Sequence, residues 1–287
     1  MAAPSQTLIL HQTEPNSPVV PRARSKRHIN IFGPINGNIY YPPCFRAHES
    51  RAARARRVLH MPLQGLSRLF PTGLQRADKL LAAGGQRTMA SLQAAGVPPS
   101  AITETVDCGI PDELLDRPRI QHRGSNKRFL HYGRLVFHKG TSLILHGIKL
   151  SESNACLDIV GRGPEREALQ ALSLRLGLQE RVRFLDWYPR RSDLFNTFPN
   201  YRAVILPSLE DANGIVVQEA MAVGLVPICL DWGGPQLLIR NGVDGFLIPP
   251  TDAHDIAKAL AQTMDAIACD GDRAEALSAR ARSRAEN

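Results

Sequence analysis

The side chains best suited to chemistry cluster in residues 204–234, where Asp211, Asn213 and Gly214 precede an apolar run, Ile215 to Val223, that holds a single carboxylate, Glu219. The run predicts a buried helix, with Gly224 placed for a left-handed C-terminal cap. The backbone N–H groups of Gly214, Ile215 and Val216 then become the unpaired donors of its first turn. With the positive end of the helix dipole they suit an anion such as a diphosphate. Gly214 lets a ligand come close to the backbone. Glu219, on a helix of Ile, Val, Ala and Met, requires a partner if it is buried, and a ribose diol is a suitable one. A plainer reading stands beside this: Asp211 is an ordinary acid near a helix start, and Glu219 reaches solvent.

The flanking elements make this loop a ligand position. Val204 to Leu206, closed by Pro207, reads as the end of a buried strand, and Leu225 to Leu230, interrupted at Pro227, as the next one. Asp231 to Gly234 is the loop that leaves it. Strand, loop, helix and strand form a βαβ unit, and in open α/β sheets ligands lie beyond the carboxyl ends of the strands.

Asp211 and Glu219 with seven residues between them, then Ala220-Met221-Ala222-Val223-Gly224, with Pro207-Ser208 before and Gly233-Gly234 after, resemble the acidic signature of retaining family 4 glycosyltransferases, group 1, of the GT-B fold. Many members carry Glu at the first acidic position, where this chain has Asp211. The resemblance continues upstream: Phe129 to Tyr132 reads as a strand, followed by Gly133-Arg134-Leu135 and Lys139-Gly140. It implies that Arg134 and Lys139 clamp the donor diphosphate, which gains negative charge in the transition state. Asp211 would hold donor-sugar hydroxyls and orient the anomeric carbon, so that Asp211, Arg134 and Lys139 form the catalytic set. Gly133, Asn213, Gly214, Ile215, Val216 and Glu219 would bind the donor, Glu219 through the ribose. No nucleophile, metal or cofactor is implied.

The implied fold class is α/β, GT-B-like, with a complete C-terminal Rossmann-like domain on a parallel sheet and a partial N-terminal one. The expected divisions are an acceptor-side domain over 1–115, a polar linker at 116–126, a nucleotide-sugar domain over 127–268 and a helical tail at 269–287. In the first part, Leu8 to His11, His28 to Phe32, Ala77 to Ala82 and Ile102 to Val106 read as strands, and Arg46 to Leu59 and Gln86 to Ala95 as helices. His11, near a strand end, is read as structural. Against family members, about a hundred residues of early βα units are expected to be absent, judged by usual domain sizes.

Further on, Leu157 to Gly161 reads as a strand and Gly161 to Glu165 as a loop opening a helix. As a dinucleotide fingerprint it fails, because Arg166 stands at the third glycine position and Arg181, not an acid, about twenty residues on. Strands at Val182 to Leu185 and Phe246 to Ile248 follow, with helices near Asp193 to Phe198, Pro235 to Arg240, Asp252 to Ala268 and Asp272 to Asn287.

The chain has 287 residues and a formal net charge of +8, with nine Lys or Arg against one acid, Glu49, between Arg22 and Arg57. That block points to an anionic membrane surface or an acidic substrate rather than to nucleic acid; a merely solvated helix face is the alternative. Five separated cysteines without a Cys-x-x-Cys indicate neither a disulfide framework nor a zinc site and suit the cytoplasm. Cys156 and Cys229 read as small buried residues. No apolar run approaches ~18 residues, so membrane contact is expected to be peripheral, at the inner face. The expected function is transfer of a sugar from a nucleoside-diphosphate sugar to a saccharide or lipid-linked saccharide acceptor, in exopolysaccharide or other glycan biosynthesis. The alternative is a non-catalytic nucleotide-sugar-binding module, or a subunit that needs a partner chain.

Overall fold

The computed structural model describes residues 9–12, 28–36, 40–69, 74–106, 109–122 and 124–286. Leu8, Arg22, Arg24, Lys26, Arg27, Cys108 and Asn287, all used in the expectations above, lie outside these. The chain forms two compact units, one from residues 1–40 and 46–108 and the other from Tyr41–Phe45 with Gly109–Asn287.

In the first unit, β1 (Ile9–Gln12), β2 (Ile29–Ile35), β3 (Lys79–Ala82) and β4 (Ile102–Glu104) form a parallel sheet in that order. Phe32, Leu80 and Ile102 lie in its core with Leu92 of helix α2 (Gln86–Ala94). The cationic helix expected over Arg46 to Leu59 is two elements: a 3-10 turn at Pro43–His48 and helix α1 (Arg51–Ser67). Ser50 starts α1 by accepting the Ala53 N–H at 3.1 Å, and the helix continues through Pro62. One side of α1 is tied down: Arg57 pairs with Glu49 at 2.9 Å, Ser91 donates to Gln64 at 2.7 Å, and Arg68, just past its end, donates to the carbonyls of Gln93 and Ala94. His11 Nε2 lies 2.8 Å from the Gly33 carbonyl oxygen, as a structural histidine would.

The second unit opens with α3 (Asp112–Leu115) and alternates strictly: β5 (Arg128–Tyr132), α4 (Thr141–Leu150), β6 (Cys156–Val160), α5 (Arg166–Arg175), β7 (Val182–Leu185), α6 (Arg191–Phe195) and β8 (Ala203–Leu206). It continues with α7 (Ile215–Ala222), β9 (Val226–Leu230), α8 (Pro235–Leu238), β10 (Phe246–Ile248), α9 (Ala253–Ala268) and α10 (Gly271–Glu286). All six strands are parallel, in the order β10-β9-β8-β5-β6-β7. Numbered within the unit this is the doubly wound order 3-2-1-4-5-6 read in reverse, and the order turns back between β5 and β8. Every residue of β8 and β9 is buried, Pro227 included, so the predicted interruption is a continuous strand. Helix α7 is buried from Val217 to Ala222, and Gly224 adopts φ +76° after it, as the cap required.

At the ends of this unit the linker expectation changes, while the helix expected at the C-terminal end is present. Residues 116–126 lie inside the second unit, not between units. The Ile120 N–H donates to the Val223 carbonyl at 2.8 Å, and the buried Arg202 guanidinium donates to the carbonyls of His122, Asn126 and Gly124. Residues 271–286 are a packed helix, with Ala274, Leu277, Ser278 and Ala281 buried. Arg282 of α10 reaches the carbonyls of Leu114, Leu115 and Ala222, supplying donors to the C-terminal ends of α3 and α7. Cys229 is buried as expected, but Cys156, first in its strand, is only half-buried. Among the described residues no helix is long and apolar enough to cross a membrane.

Candidate functional site

The reversal between β5 and β8 leaves a crevice at the carboxyl ends of these strands, since the loops that follow them turn to opposite faces of the sheet. The loop after β5 is held by the loop after β6. Gly133 N–H donates to the Val160 carbonyl at 3.0 Å, Leu135 N–H to Arg162 at 2.8 Å, and Glu165 N–H back to Leu135 at 3.1 Å. This explains the glycines that failed as a dinucleotide fingerprint: a Cβ on Gly161 or Gly163 would overlap the backbone of Gly133 or Leu135. Arg134 stands between these clamped residues, exposed, and its side chain has no hydrogen-bond or ion-pair partner among the described residues.

The same loop then crosses to the β8 side. Leu209 N–H donates to the His138 carbonyl at 2.7 Å, and Lys139 Nζ lies 2.7 Å from Asp211 Oδ2. Gly140 adopts φ +67° to start α4, and a Cβ there would fall on the Pro207 carbonyl, so the two loops meet through a position only glycine fills. Asp211 is fixed on every side: Oδ1 accepts the N–H groups of Gly214 at 2.8 Å and Asn213 at 3.3 Å, and its carbonyl accepts Gly234 N–H at 2.8 Å. The expectation that Gly214 offers a free N–H is therefore corrected. Asp211 takes that donor because Gly214, at φ +62°, is the N-cap and turns its N–H back over the loop. Val217 N–H bonds the Gly214 carbonyl at 2.8 Å, which leaves Ile215 and Val216 N–H without protein acceptors among the described residues.

Glu219 lies on α7, its side chain 1% exposed. It does not reach solvent. Tyr132 O–H, at the end of β5, donates to Oε2 at 2.9 Å, and the half-exposed Arg191 at the start of α6 donates to Oε1. Burial raises the Glu219 pKa, and the Arg191 charge and the Tyr132 bond offset only part of that rise. Sequence reading required a partner for Glu219 but identified neither group. Tyr132 had a usable signal in its place at the carboxyl end of β5; Arg191, in the polar run Pro189-Arg190-Arg191, had none.

Beneath the crevice His131 is fully buried and joins three elements. Its Nδ1 lies 2.8 Å from the Ile205 carbonyl of β8 and its Nε2 2.9 Å from Thr141 Oγ1 at the start of α4. The carbonyl can only accept, so Nδ1 carries the proton and Nε2 accepts from the hydroxyl. Burial lowers its pKa to about 4, with nearby Lys139 acting in the same direction. Since the folded value lies below the unfolded one of about 6.5, the unfolded state takes up the proton first as pH falls. The group therefore contributes about 3 kcal/mol of stability above pH 6.5 that is lost between pH 6.5 and 4. Urea unfolding across this window checks the loss. The imidazole nitrogen shifts of His131 are expected to show a neutral ring, protonated at Nδ1, at pH 5.5.

The crevice thus presents an unpaired guanidinium, an ion-paired lysine, two free helix N–H groups and a buried carboxylate able to accept hydroxyls. Among the described residues no cluster of His, Cys, Asp or Glu could hold a metal ion. These groups, at the switch point of a doubly wound sheet, are suited to an anionic ligand.

The family model described as glycosyl transferases group 1 matches residues 112–284, more than half of the chain, and the chain belongs to that family. An uncharacterized glycosyltransferase of Methanocaldococcus jannaschii is 31% identical over 148 residues, which cover 51% of this chain and 38% of that protein. The lipopolysaccharide core biosynthesis glycosyltransferase LpsD of Rhizobium meliloti is 30% identical over 133 residues, covering 46% and 38%. The chain thus spans less than half the length of these curated relatives. Among solved structures, S. aureus TarM in complex with fondaparinux, alpha-GlcNAc-glycerol and UDP superimposes with a TM-score of 0.67 at 15% identity, covering 90% of this chain and 48% of that one. That likeness shows the fold, and both parallel sheets fit the GT-B class.

Proposed function

We propose that the chain transfers a sugar, with retention of anomeric configuration, from a nucleoside-diphosphate sugar to a saccharide or lipid-linked saccharide, in exopolysaccharide or other glycan biosynthesis at the cytoplasmic face of a membrane. The observation that carries this reading is the Lys139–Asp211 ion pair at the switch point, with the exposed, unpartnered Arg134 on the same loop as Lys139. Arg134 and Lys139 neutralise the charge that builds on the departing diphosphate, and the N–H groups of Ile215 and Val216 take phosphate oxygens. Asp211 stays braced by Gly214 and Asn213 while it receives donor-sugar hydroxyls, which orients the anomeric carbon. Lys139 is then shared between Asp211 and the diphosphate. Glu219 accepts the ribose diol in its ionised form. The UDP in the TarM complex and the lipopolysaccharide role in the name of LpsD support the choice of donor and pathway class.

Retention is tested by slow donor hydrolysis followed through the anomeric proton by NMR. An α-linked donor gives α-sugar first; first-formed β-sugar contradicts the proposal. A second reading, a nucleotide-sugar-binding module completed by further polypeptide, draws on the share of relatives covered, 38%. It predicts nucleotide binding with no sugar release.

Arg191 gives this site a pH signature. In Arg191→Ala the buried Glu219 keeps only Tyr132, and its pKa rises further because the largest opposing charge is gone. A protonated carboxyl turns one oxygen into a donor and is a weaker acceptor for the ribose hydroxyls. The variant is expected to bind nucleotide more weakly than wild type and to need a higher pH than wild type to reach full affinity. Calorimetric titration with UDP, GDP and ADP at several pH values reads this, and a flat profile in the variant removes Glu219 from ribose binding.

A further inference from the structure

Helix α1 is amphipathic in a direction its own unit does not use. At 100° per residue, Arg57, Gln64 and Arg68 share the side held down by Glu49, Ser91 and the end of α2. The opposite side carries Val58, Leu59, Leu63 and Leu66, with Leu69 one turn on, and each of these is more than half exposed. This is one contiguous aliphatic stripe, not scattered surface leucines. Arg51, Arg54 and Arg56 extend and flank the same side, all exposed, and α1 contains no acidic residue. Glu49, the acid beside it, is bound to Arg57.

The arginines stand in the first two turns of the helix, where the dipole favours acids, so helix stability does not account for them. A surface that accepts aliphatic side chains and supplies negative charge next to them satisfies both halves of the helix. We propose that this face of α1 lies in the headgroup region of an anionic lipid bilayer, parallel to the membrane plane, with the leucines inserted and Arg51, Arg54 and Arg56 against the lipid phosphates. The assignment goes beyond the donor site and rests on different residues.

The test is co-sedimentation of the full chain with vesicles containing phosphatidylglycerol and with pure phosphatidylcholine vesicles, at low and high salt. The expected result is binding to the anionic vesicles, weakened by salt, and none to the neutral ones. Each arginine near an anionic surface contributes about fivefold in partition coefficient, so Arg51→Gln/Arg54→Gln/Arg56→Gln is expected to lose about 100-fold. Leu59→Ser/Leu63→Ser/Leu66→Ser is expected to lose binding although its net charge is unchanged. All six side chains are exposed, so both variants fold, which circular dichroism verifies.

A matched removal of charge from the second unit, Lys149→Gln/Arg175→Gln/Arg280→Gln, is expected to bind nearly as wild type. An equal loss in the two charge variants overturns the proposal, because net charge alone then explains binding. So does a wild-type chain that stays in the supernatant, or a serine variant that turns a dimer into a monomer by light scattering and leaves vesicle binding intact. A nucleotide titration on the same preparations keeps a failure of docking distinct from a failure of the donor site.

Discussion

Lys139→Ala is expected to lower the kcat for sugar transfer by about two to three orders of magnitude, the cost of deleting one fixed donor aimed at developing negative charge. The loss should fall more on kcat than on KM, because the charge on the departing diphosphate is greatest in the transition state. Lys139 also holds Asp211, its Nζ 2.7 Å from Oδ2 in a site where the two side chains are 24% and 12% exposed. Removing the lysine frees that carboxylate oxygen to swing away from the sugar. Asp211→Asn keeps the shape of the side chain and, through its remaining oxygen, the contacts to Gly214 and Asn213, but removes the charge and turns the Oδ2 acceptor that faces Lys139 into an NH2 donor. If lysine and aspartate act as a unit, Lys139→Ala/Asp211→Asn loses far less than the product of the single losses. Steady-state kinetics on the four proteins shows this. Fully multiplicative losses would mean that the ion pair does not couple the two loops.

Arg202→Met is expected to cost about 3 kcal/mol of stability or more, because three carbonyls lose the single guanidinium that serves them. Arg202 is fully buried, and its guanidinium is consumed by the carbonyls of His122, Gly124 and Asn126. Methionine refills much of the volume but supplies no donor, and each carbonyl left without one costs about 1–3 kcal/mol unless water reaches it. Urea denaturation is the measurement. A midpoint shift with unchanged slope gives the stability directly. A loss below about 1 kcal/mol would show that residues 122–126 are held by something else.

Much of this protein was legible in its sequence, for identifiable reasons. Strands β5, β6 and β8 are short, mostly apolar runs closed by Gly or Pro and β9 is an apolar run closed by Asp231, and a strand covered on both faces leaves that pattern. Helix α7 is apolar on nearly every face, and it is buried. Lys139 and Asp211, 72 residues apart in sequence, were assigned to one site through the family resemblance, and the strand order explains why they meet: their loops follow the two strands that flank the reversal.

What stayed hidden is long-range and electrostatic. The bonds from Arg191 and Tyr132 to Glu219 span 28 and 87 residues, and no local periodicity encodes such a pairing. Residues 116–126 look like a linker because they are polar and rich in arginine. They are fastened to the second unit by Arg202 and by Arg119, whose guanidinium pairs with Glu275 on α10. Residues 271–286 look like a tail for the same reason, since the apolar set of α10 is three alanine- and leucine-sized contacts hidden among arginines. The Gly161 and Gly163 pattern was visible, but its purpose, the close approach of two loops, was not.

The central claim is that the crevice between β5 and β8 binds a nucleoside diphosphate through Arg134. A thermal-shift panel of UDP, GDP, ADP and their sugar conjugates, on this chain and on Arg134→Ala, tests it most directly. Arg134 is exposed and without partners among the described residues, so its removal leaves the fold intact. A ligand at a hundred times its Kd adds about 2.7 kcal/mol of stability. The account predicts a clear upward shift for one nucleotide series that is lost in Arg134→Ala. No shift with any of them, or an equal shift in the variant, contradicts it.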